Sequence, residues 1–273
     1  MPGKRQFQNI LTGVLIVAAL ILGGNYIYEK WQDHQQVLQQ ERLRQEMALE
    51  AAAAEAARLE AAAAAEAAYA AEIAKTHLLE TLQDSNPDTV AWLEVEGTPV
   101  LYPVTQTANN DYYLKMSFQR QPYKFGSIYM DYRNDSLLND FNTIIYGHTF
   151  PNDETMFGAL QRYRRQSFWD EHHIVTMMLD KKYYDYEIFA VYVTEPNYDY
   201  RTPNYRNAED AERFLREIRE KSLIKSDIPV TAADHVLTLS TCTYDFRDAR
   251  YAVHAVRVAE RDALNNPLSA PPQ

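Results

Sequence analysis

The feature that most restricts how this chain can fold lies at residues 32–82, which contain neither glycine nor proline and are dominated by alanine and glutamate. Both residue types are strong helix formers. Because alanine occupies every side of such a helix, the helix has little apolar surface to bury. The segment therefore predicts a solvated helical stalk, roughly 75 Å long at the ~1.5 Å rise per residue of an α-helix. A coiled coil is the alternative, through four apolar residues near its start: Val37, Leu38, Leu43 and Met47.

An uncharged apolar run at residues 10–28 precedes the stalk and follows Lys4 and Arg5. The run is long enough to cross the hydrocarbon core of a bilayer as a helix. Positive charges before it favour a cytoplasmic N-terminus, and interfacial aromatic residues follow: Tyr26, Tyr28 and Trp31. The alternative is a cleaved signal peptide, with the cleavage site near the small residues at 18–24. Both interpretations leave the remaining chain on the extracellular side, and the anchor predicts a single-pass protein of the cell membrane.

Charge and cysteine content exclude several classes of protein. The 27 basic and 38 acidic residues give a net charge of -11, so the chain lacks the basic surplus that binds nucleic-acid phosphates. A single cysteine, Cys242, rules out an internal disulfide framework. The sequence has no glycine-rich phosphate loop and no histidine and cysteine cluster with metal-ligand spacing. We therefore expect no nucleic acid, no metal and no cofactor.

Strand-like segments fill the region between residues 86 and 259. Each is short, rich in β-branched or aromatic residues, and bounded by Gly, Pro, Asn or Asp. The eight segments are residues 90–95, 100–104, 126–130, 143–146, 174–179, 186–193, 235–239 and 251–258. Eight short strands at such spacing are typical of a barrel or a sandwich, so we predict a mostly β domain. Neither the anchor nor the stalk is expected to contribute to its core.

One helix is predicted inside the long connection at residues 196–229. Asn207 is placed to cap its start, with Asp210 three residues later. The apolar face of this helix consists of four residues: Ala211, Phe214, Leu215 and Ile218. Connections of this length on a β scaffold often carry recognition.

Cys242 ends the strand-like stretch Thr-Leu-Ser-Thr-Cys, and Arg250 follows it after a turn-like segment. The period of two puts Ser240 and Cys242 on the same face of the strand. If the next strand returns antiparallel, Arg250 stands beside Cys242. A guanidinium there would favour the thiolate and donate hydrogen bonds to an oxyanion. The alternative is a surface arginine paired with Asp245 or Asp248.

A cysteine nucleophile also needs a residue that accepts and donates protons, usually a histidine. His148 follows the strand-like stretch Ile-Ile-Tyr-Gly, a strand-end position after a permissive glycine, where catalytic groups often lie. His254 falls in the strand that follows Arg250 and is the second candidate. The other five histidines lie in the stalk, in a predicted loop or at the far end of the cysteine strand. The residues alone leave the choice between His148 and His254 open.

Taken together, these motifs resemble those of the sortases, the cell-surface cysteine transpeptidases of Gram-positive bacteria. The resemblance rests on Ile-Ile-Tyr-Gly-His148, Thr-Leu-Ser-Thr-Cys242 and Arg250, and covers residues 86–258. The helix-bearing connection and the segment Asn110-Asp-Tyr-Tyr-Leu114 resemble class B in particular. The resemblance implies a closed eight-stranded β-barrel with flanking helices. It also implies Cys242 as nucleophile, His148 as general acid and base, and Arg250 as stabiliser of the oxyanion.

The resemblance further implies a substrate and a reaction. Cys242 would cleave a sorting motif of a secreted surface protein after its threonine, form a thioester and transfer the acyl group to a peptidoglycan cross-bridge or stem amine. Asn110 and Leu114 match positions that line the sorting-signal groove, and Ser240 joins them as a residue on the cysteine face. The alternative makes Asn110 a turn residue and Leu114 part of the core.

Four segments follow along the chain. Residues 1–31 are the cytoplasmic N-terminus and membrane anchor, residues 32–84 the stalk, residues 85–259 the catalytic domain, and residues 260–273 a disordered, proline-rich tail.

Three other functions stay open. A hydrolytic cysteine peptidase would use the same groups, although papain-like folds place cysteine before histidine, the reverse of the order here. A pilin-polymerising sortase would take a protein lysine as the acceptor. A membrane-tethered adhesion or signalling module would leave Cys242 as a merely structural thiol.

Overall fold

A computed structural model describes residues 3–262 of the chain. Most of the predicted tail, residues 263–273, lies outside the described part. The chain divides into two units, residues 1–64 and residues 65–273. The first helix, α1 (Lys4–Ser85), begins in the first unit and ends in the second.

The first unit is helical through almost all of its described residues. α1 contains an 18-residue window with a mean hydropathy of 1.8, of which 0% is buried. By length and composition this helix is able to cross a membrane, and a signal sequence near an N-terminus shares these features. The alanine-rich segment continues as helix without a break, which confirms the helix expected from its composition.

Eight strands in the second unit form a closed barrel in the order β1-β2-β3-β4-β7-β8-β6-β5. This confirms the predicted mostly β fold with flanking helices. The strands are β1 (Thr89–Val95), β2 (Leu101–Thr105), β3 (Tyr129–Met130), β4 (Asn142–Tyr146), β5 (Ile174–Leu179), β6 (Lys182–Thr194), β7 (Val236–Cys242) and β8 (Arg250–Asp262). β8 extends past residue 259, the predicted end of the domain.

Four helical segments accompany the barrel: α2 (Tyr112–Lys115), a 3-10 helix (Gly158–Arg164), α3 (Gln166–Glu171) and α4 (Ala208–Glu220). Of these, the sequence predicts only α4. The side chain of Asn207 accepts a hydrogen bond from the backbone N of Asp210 at 2.9 Å, which confirms the predicted cap. The predicted apolar face of α4 is buried as well.

β4 and β7 are parallel neighbours, with Tyr146 opposite Ser240 in their register. Parallel strands end at the same edge of a sheet, so the residues that follow β4 lie beside the end of β7. His148 follows β4, and Cys242 ends β7. β7 also pairs antiparallel with β8, which sets Cys242 opposite Arg250. One edge of the barrel therefore holds all three predicted catalytic residues.

The two faces of β7 pack against different partners, as its alternating sequence predicts. Leu237 and Leu239 belong to the main core of the barrel. Ser240, on the opposite face, has its hydroxyl 2.8 Å from that of Tyr200. Tyr200 belongs to a second core cluster that includes Phe214 of α4. The face of β7 that carries the cysteine is thus the outer one, partly covered by the long connection that contains α4.

The last turns of the stalk pack on the barrel, so the expectation that the stalk contributes nothing to it is wrong. Leu79 is 4% exposed and clusters with Met178 of β5 and Tyr183 of β6. Nζ of Lys75 lies 2.6 Å from Oε2 of Glu94 on β1. The folded unit therefore includes helix residues that precede residue 85. A single buried leucine creates no periodic pattern, which is why the sequence does not reveal the contact.

Candidate active site

A cavity of about 280 Å³ lies where β4 and β7 end. All six residues that the sequence analysis selects line it: Asn110, Leu114, His148, Ser240, Cys242 and Arg250. Its wall also contains residues that the sequence analysis does not select: Asp111, Phe125, Ser127, Tyr129, Tyr146, Gly147, Arg201 and Thr241. A shared cavity is what a joint chemical role of the six residues requires.

Cys242 and Arg250 face each other across the first pair of the β7–β8 hairpin. The cysteine is exposed, so a substrate is able to reach its thiol. Nη1 of Arg250 donates to the carbonyl oxygens of Asp248 at 2.8 Å and Ala249 at 3.3 Å. These bonds hold the guanidinium at the wall of the cavity, and its other N–H groups are further donors for a ligand.

The alternative role for Arg250, a surface ion pair, is wrong. Nη2 of Arg164 lies 2.5 Å from Oδ2 of Asp245. Oδ2 of Asp248 lies 3.6 Å from Nε of Arg247. Both candidate carboxylates therefore pair with other arginines in the described part of the chain.

His148 lies just beyond β4 and is half-buried at the wall of the cavity. Its ring contacts the rings of Phe125 and Phe150, with centroid separations of 4.9 Å and 4.7 Å. Burial lowers the pKa of the His148 imidazole below its ordinary value. The neutral ring is favoured as a result, and a neutral imidazole is able to accept a proton.

The position before His148 requires glycine because there is no room for a side chain, and not because the backbone adopts an unusual conformation. A Cβ at this position would lie 2.5 Å from Cδ1 of Ile128 and 2.7 Å from the ring of Phe157. Gly147 is not one of the two described glycines with a positive φ. From the sequence, this glycine is expected to provide a permissive backbone before His148, and the structure gives a different physical reason for it. The chain passes so close to the core that no side chain fits.

His254 is a packed residue of the interior. It is 0% exposed, with Nε2 2.9 Å from the hydroxyl of Tyr192 and Nδ1 2.8 Å from Oγ1 of Thr238. The Thr238 hydroxyl donates to Oδ1 of Asn142 at 2.6 Å, so Nδ1 of His254 donates to Thr238 and Nε2 accepts from Tyr192. Burial lowers the pKa of His254 to about 3. Because His254 does not line the cavity, His148 is the better candidate for proton transfer.

Three hydrogen bonds join the histidine segment to the cysteine strand and its loop. The backbone N of Gly147 donates to the carbonyl oxygen of Ser240 at 3.2 Å. The hydroxyls of Thr149 and Thr241 are buried and lie 2.6 Å apart. The hydroxyl of Tyr244 donates to the carbonyl oxygen of Thr149 at 3.1 Å. These bonds fix the two segments relative to each other at the cavity.

Asn110 lies just before α2 and Leu114 lies within it, at another part of the wall. Oδ1 of Asn110 accepts from the backbone N of Tyr132 at 2.9 Å, and Nδ2 donates to Oδ2 of Asp131 at 3.1 Å. Leu114 is 49% exposed, so the alternative that makes it a core residue is wrong. An exposed leucine at a cavity wall offers apolar surface to a ligand. Ser240 is 3% exposed and its hydroxyl already binds a tyrosine hydroxyl, so it shapes the wall.

A buried carboxylate beside the cavity escapes the sequence analysis. Asp131, directly after β3, is 0% exposed and binds Nε and Nη2 of Arg133 at 2.9 Å and 2.8 Å. It also accepts from the hydroxyl of Tyr146 at 2.8 Å. Burial by itself raises a carboxyl pKa, but the bonds from Arg133, Tyr146 and Asn110 outweigh it and lower the pKa of Asp131 to about 2. The ionised carboxylate thus orients Tyr146 and Asn110, two residues of the wall.

The chemistry that the cavity offers follows from three groups: a thiol, an imidazole and a guanidinium. These are the groups that nucleophilic acyl transfer uses as nucleophile, proton carrier and oxyanion donor. Within residues 3–262, no group of three or more His, Cys, Asp or Glu side chains is placed to hold a metal ion.

Comparison with known proteins identifies the family of this chain. A family model described as the Sortase domain matches residues 93–258. The curated sortase B of Staphylococcus aureus is 41% identical over 165 residues, which are 60% of this chain and 66%, just under two thirds, of that protein.

Two solved structures extend this similarity to the fold. A crystal structure of a mutant sortase B from Clostridium perfringens has a TM-score of 0.65 at 34% identity, and the match covers 69% of this chain and 90% of that chain. A sortase B–substrate complex from Staphylococcus aureus has a TM-score of 0.64 at 34% identity, and covers 71% of this chain and 92% of that chain. The chain belongs to the sortase family, and its relatives are class B sortases.

Proposed function

We propose that this chain is a membrane-anchored cysteine transpeptidase that attaches secreted surface proteins to the cell wall. The observation that carries the proposal is the pairing of Cys242 with Arg250 on adjacent strands, in the cavity that His148 also lines. Membership of the sortase family supports the reaction class. A related sortase B has been solved with a substrate, which supports a peptide-binding role for the corresponding cavity here.

In the first half-reaction, the sulfur of Cys242 attacks the carbonyl carbon of the threonine in a sorting motif. The thiol proton passes to His148, because burial favours its neutral, proton-accepting ring. Arg250 donates N–H groups to the oxyanion of the tetrahedral intermediate. The carbon–nitrogen bond then breaks, the amine leaves with the proton from His148, and a thioester remains on Cys242.

In the second half-reaction, an incoming amine attacks the thioester carbonyl and gives its proton to His148. The carbon–sulfur bond breaks, and the thiol of Cys242 is restored as the new amide departs. The thioester carries the energy of the cleaved amide, so the transfer needs no nucleotide. We propose a peptidoglycan cross-bridge or stem amine as the acceptor. A pilin lysine in a pilin-polymerising sortase, or water in a hydrolytic peptidase, would use the same three groups.

The sorting motif is proposed to lie along the wall that Asn110, Leu114 and Ser240 contribute. The exposed side chain of Leu114 offers apolar contact. Asn110 is held in place by Asp131, and Ser240 by a tyrosine hydroxyl. Rigid wall residues of this kind reduce the entropy lost when a flexible peptide binds.

The apolar part of α1 is proposed to hold the enzyme in the cell membrane, with the N-terminus in the cytoplasm and the catalytic domain outside. The mean hydropathy of 1.8 in its 18-residue window supports an anchor. Residues 1–31 would then be the anchor, residues 32–84 the stalk that spaces the barrel from the membrane, and residues 85–259 the catalytic domain. The contact of Leu79 with the barrel makes the end of the stalk part of the folded unit.

The test is mass spectrometry of the products from candidate sorting peptides, with and without a peptidoglycan stem amine. We expect an acyl adduct on Cys242, and a new amide when the amine is present. Hydrolysed peptide as the only product, whatever amine is added, would identify a peptidase instead. Cys242→Ala is the control, since an exposed cysteine is replaced without loss of packing, and it should form no adduct. Peptide cleavage by this variant would contradict the proposal.

A further inference from the structure

A second cavity, of about 340 Å³, lies next to the candidate active site and has no part in the steps above. Its wall is mainly aromatic and apolar: Tyr102, Phe118, Tyr123, Ile128, Phe150 and Met156. Several of these side chains are accessible; Phe150 is half-buried and Tyr123 is 45% exposed. A concave, accessible surface lined by aromatic rings is typical of a ligand-binding subsite.

A pair of aromatic rings separates this cavity from the candidate active site. Phe125 lines the active-site cavity, Phe150 lines the second one, and their ring centroids are 4.3 Å apart. His148 contacts both rings, at 4.9 Å and 4.7 Å. Ser127 lines both cavities. The second cavity therefore begins on the far side of the ring pair that His148 contacts.

The segment that follows His148 forms a fixed part of this second wall. The backbone N of Phe157 donates to the carbonyl oxygen of His148 at 3.0 Å. The backbone N of Met156 donates to the hydroxyl of Tyr102 at 3.0 Å. The cavity is thus held open by bonds within the protein, and a preformed site loses less entropy when a peptide binds. The Tyr102 hydroxyl already has a partner, so the wall offers mainly apolar contact.

We propose that the second cavity binds the side chains of the residues that follow the scissile bond in the substrate, and that it favours large apolar side chains there. This inference rests on the proposed function. The acyl half of the substrate stays on Cys242, whereas the leaving amine must be at His148 to receive its proton. The chain beyond that amine therefore starts at His148, next to the ring pair of Phe125 and Phe150, and continues into the cavity behind it.

Two peptides test the inference. They share one sorting motif and differ only in the second and third residues after the scissile bond, which are glycine in one peptide and leucine in the other. The measurement is kcat/KM for release of the leaving fragment, together with the mass of the acyl adduct on Cys242. Because burial of an apolar side chain stabilises binding, we expect about tenfold more efficient cleavage of the leucine peptide.

Variants of the wall connect this preference to the cavity. Gln119→Trp fills the cavity from an exposed position, and Tyr123→Ser removes an exposed ring from its wall. Both should lower kcat/KM for the leucine peptide more than for the glycine peptide, and so bring the two peptides to within about twofold of each other. Gln121→Trp is the matched control, since Gln121 is exposed and does not line the cavity. This variant should keep the preference of the unmodified enzyme.

Each outcome of these measurements either supports or contradicts the inference. Equal efficiency with the two peptides in the unmodified enzyme would overturn the inference, as would equal losses with both peptides in the wall variants. An adduct on Cys242 without any preference overturns the inference alone, whereas no adduct with either peptide overturns the proposed function as well. If Tyr123→Ser fails to fold, Gln119→Trp still tests the inference, because it enlarges a side chain at an exposed position and removes no core contact.

Discussion

The guanidinium of Arg164 forms two hydrogen bonds with the carboxylate of Asp245, at 3.1 Å and 2.5 Å. Arg164 ends the 3-10 helix, and Asp245 lies in the loop between β7 and β8. The same guanidinium donates to the hydroxyl of Thr243 at 3.2 Å and lies 5.2 Å from the ring centre of Tyr251. Thr243 directly follows the candidate nucleophile, and Tyr251 directly follows the candidate oxyanion donor. One side chain thus contacts the neighbours of both.

We expect Arg164→Ala to lower turnover at least about tenfold with little change in melting temperature, because small misplacements of catalytic groups are costly. Arg164→Lys should fall between the alanine variant and the unmodified enzyme, since an ammonium group cannot form the two-pronged contact. Arg162→Ala is the control, because Arg162 is on the same helix and pairs with Glu154. The measurement is steady-state kinetics of the three variants. Equal losses of turnover in Arg164→Ala and Arg162→Ala would contradict a special role for Arg164.

Arg250→Lys separates two roles of the arginine. If Arg250 donates to the oxyanion and aligns the substrate, lysine should fail, because it lacks the planar fork of N–H groups. Loss of one oxyanion donor costs on the order of 10²–10³ in turnover, and we expect a loss of that size. Alkylation of the Cys242 thiol should change much less, because a positive charge stays opposite it in the ladder. Retained turnover would remove the oxyanion role, and a parallel collapse of alkylation would assign the arginine to the thiol.

The two candidate histidines should respond differently to substitution. His148→Ala should lower turnover by at least the ~10²-fold typical of general acid–base groups, with a nearly unchanged melting temperature. His254→Ala should instead lower the free energy of unfolding, because it leaves a cavity and removes the partners of the Tyr192 and Thr238 hydroxyls. The measurements are steady-state kinetics and thermal unfolding of both variants. A larger loss of turnover in folded His254→Ala would reverse the assignment.

His254 also predicts how stability depends on pH. Burial lowers its pKa to about 3 from an ordinary value of 6.5, so between these values the unfolded chain binds a proton that the folded chain does not. The free energy of unfolding should therefore fall as pH drops below 6.5, by ~1.4 kcal/mol per pH unit from this group. Asp131, whose pKa is lowered from 3.8 to about 2, adds the same trend only below pH 3.8.

The measurement for this pH dependence is chemical denaturation at several pH values between about 4 and 7, in steps of about one pH unit. His254→Gln, which stays neutral throughout, should show a shallower slope than the unmodified protein. His34→Gln, at an exposed position of the stalk, is the control and should keep the original slope. Equal slopes in all three proteins would show that His254 is not the source.

The end of the stalk should be needed for stability. Leu79→Ala removes a buried side chain from its cluster with Met178 and Tyr183, and large-to-small core changes of this kind typically cost about 2–5 kcal/mol. A protein that begins at residue 66 should melt close to the full chain, whereas one that begins at residue 83 should melt lower. The measurement is thermal unfolding of the full chain, Leu79→Ala and the two shortened chains, and equal melting temperatures in all four would mean that the contact contributes nothing.

Local pattern was sufficient to predict the strands. β5 has the predicted bounds, and the other seven overlap their predicted segments, because alternation and β-branched content are properties of each segment alone. β3 is the strand that is shorter than predicted, with two residues in place of residues 126–130. Gly126 has a φ of +66°, and a Cβ there would lie 2.2 Å from the carbonyl oxygen of Tyr113, so the chain turns where a strand is predicted.

Contacts between distant parts of the chain could not be predicted from local pattern. Arg164 and Asp245 are 81 positions apart, and neither differs in sequence from an ordinary surface charge. The second cavity is built from three separate segments, around Tyr102, Phe118 and Phe150. His148 follows one strand and His254 lies in another, so strand patterns alone do not separate them. The family resemblance is what favours His148 over His254 at the level of sequence. Burial, which only the folded chain reveals, gives the physical basis for that choice.

The parallel pairing of β4 and β7 brings two distant parts of the chain together at the candidate active site. The hydroxyls of Thr149 and Thr241, 92 positions apart, lie together because of this one strand pairing. The connection at residues 196–229, with α4, lies between the two strands in the chain and packs against the outer face of β6, β7 and β8. The register of β4 against β7 therefore sets the spacing of His148 and Cys242, and a shift of one residue in it would move one of these two candidate catalytic groups by ~3.3 Å along the strand relative to the other.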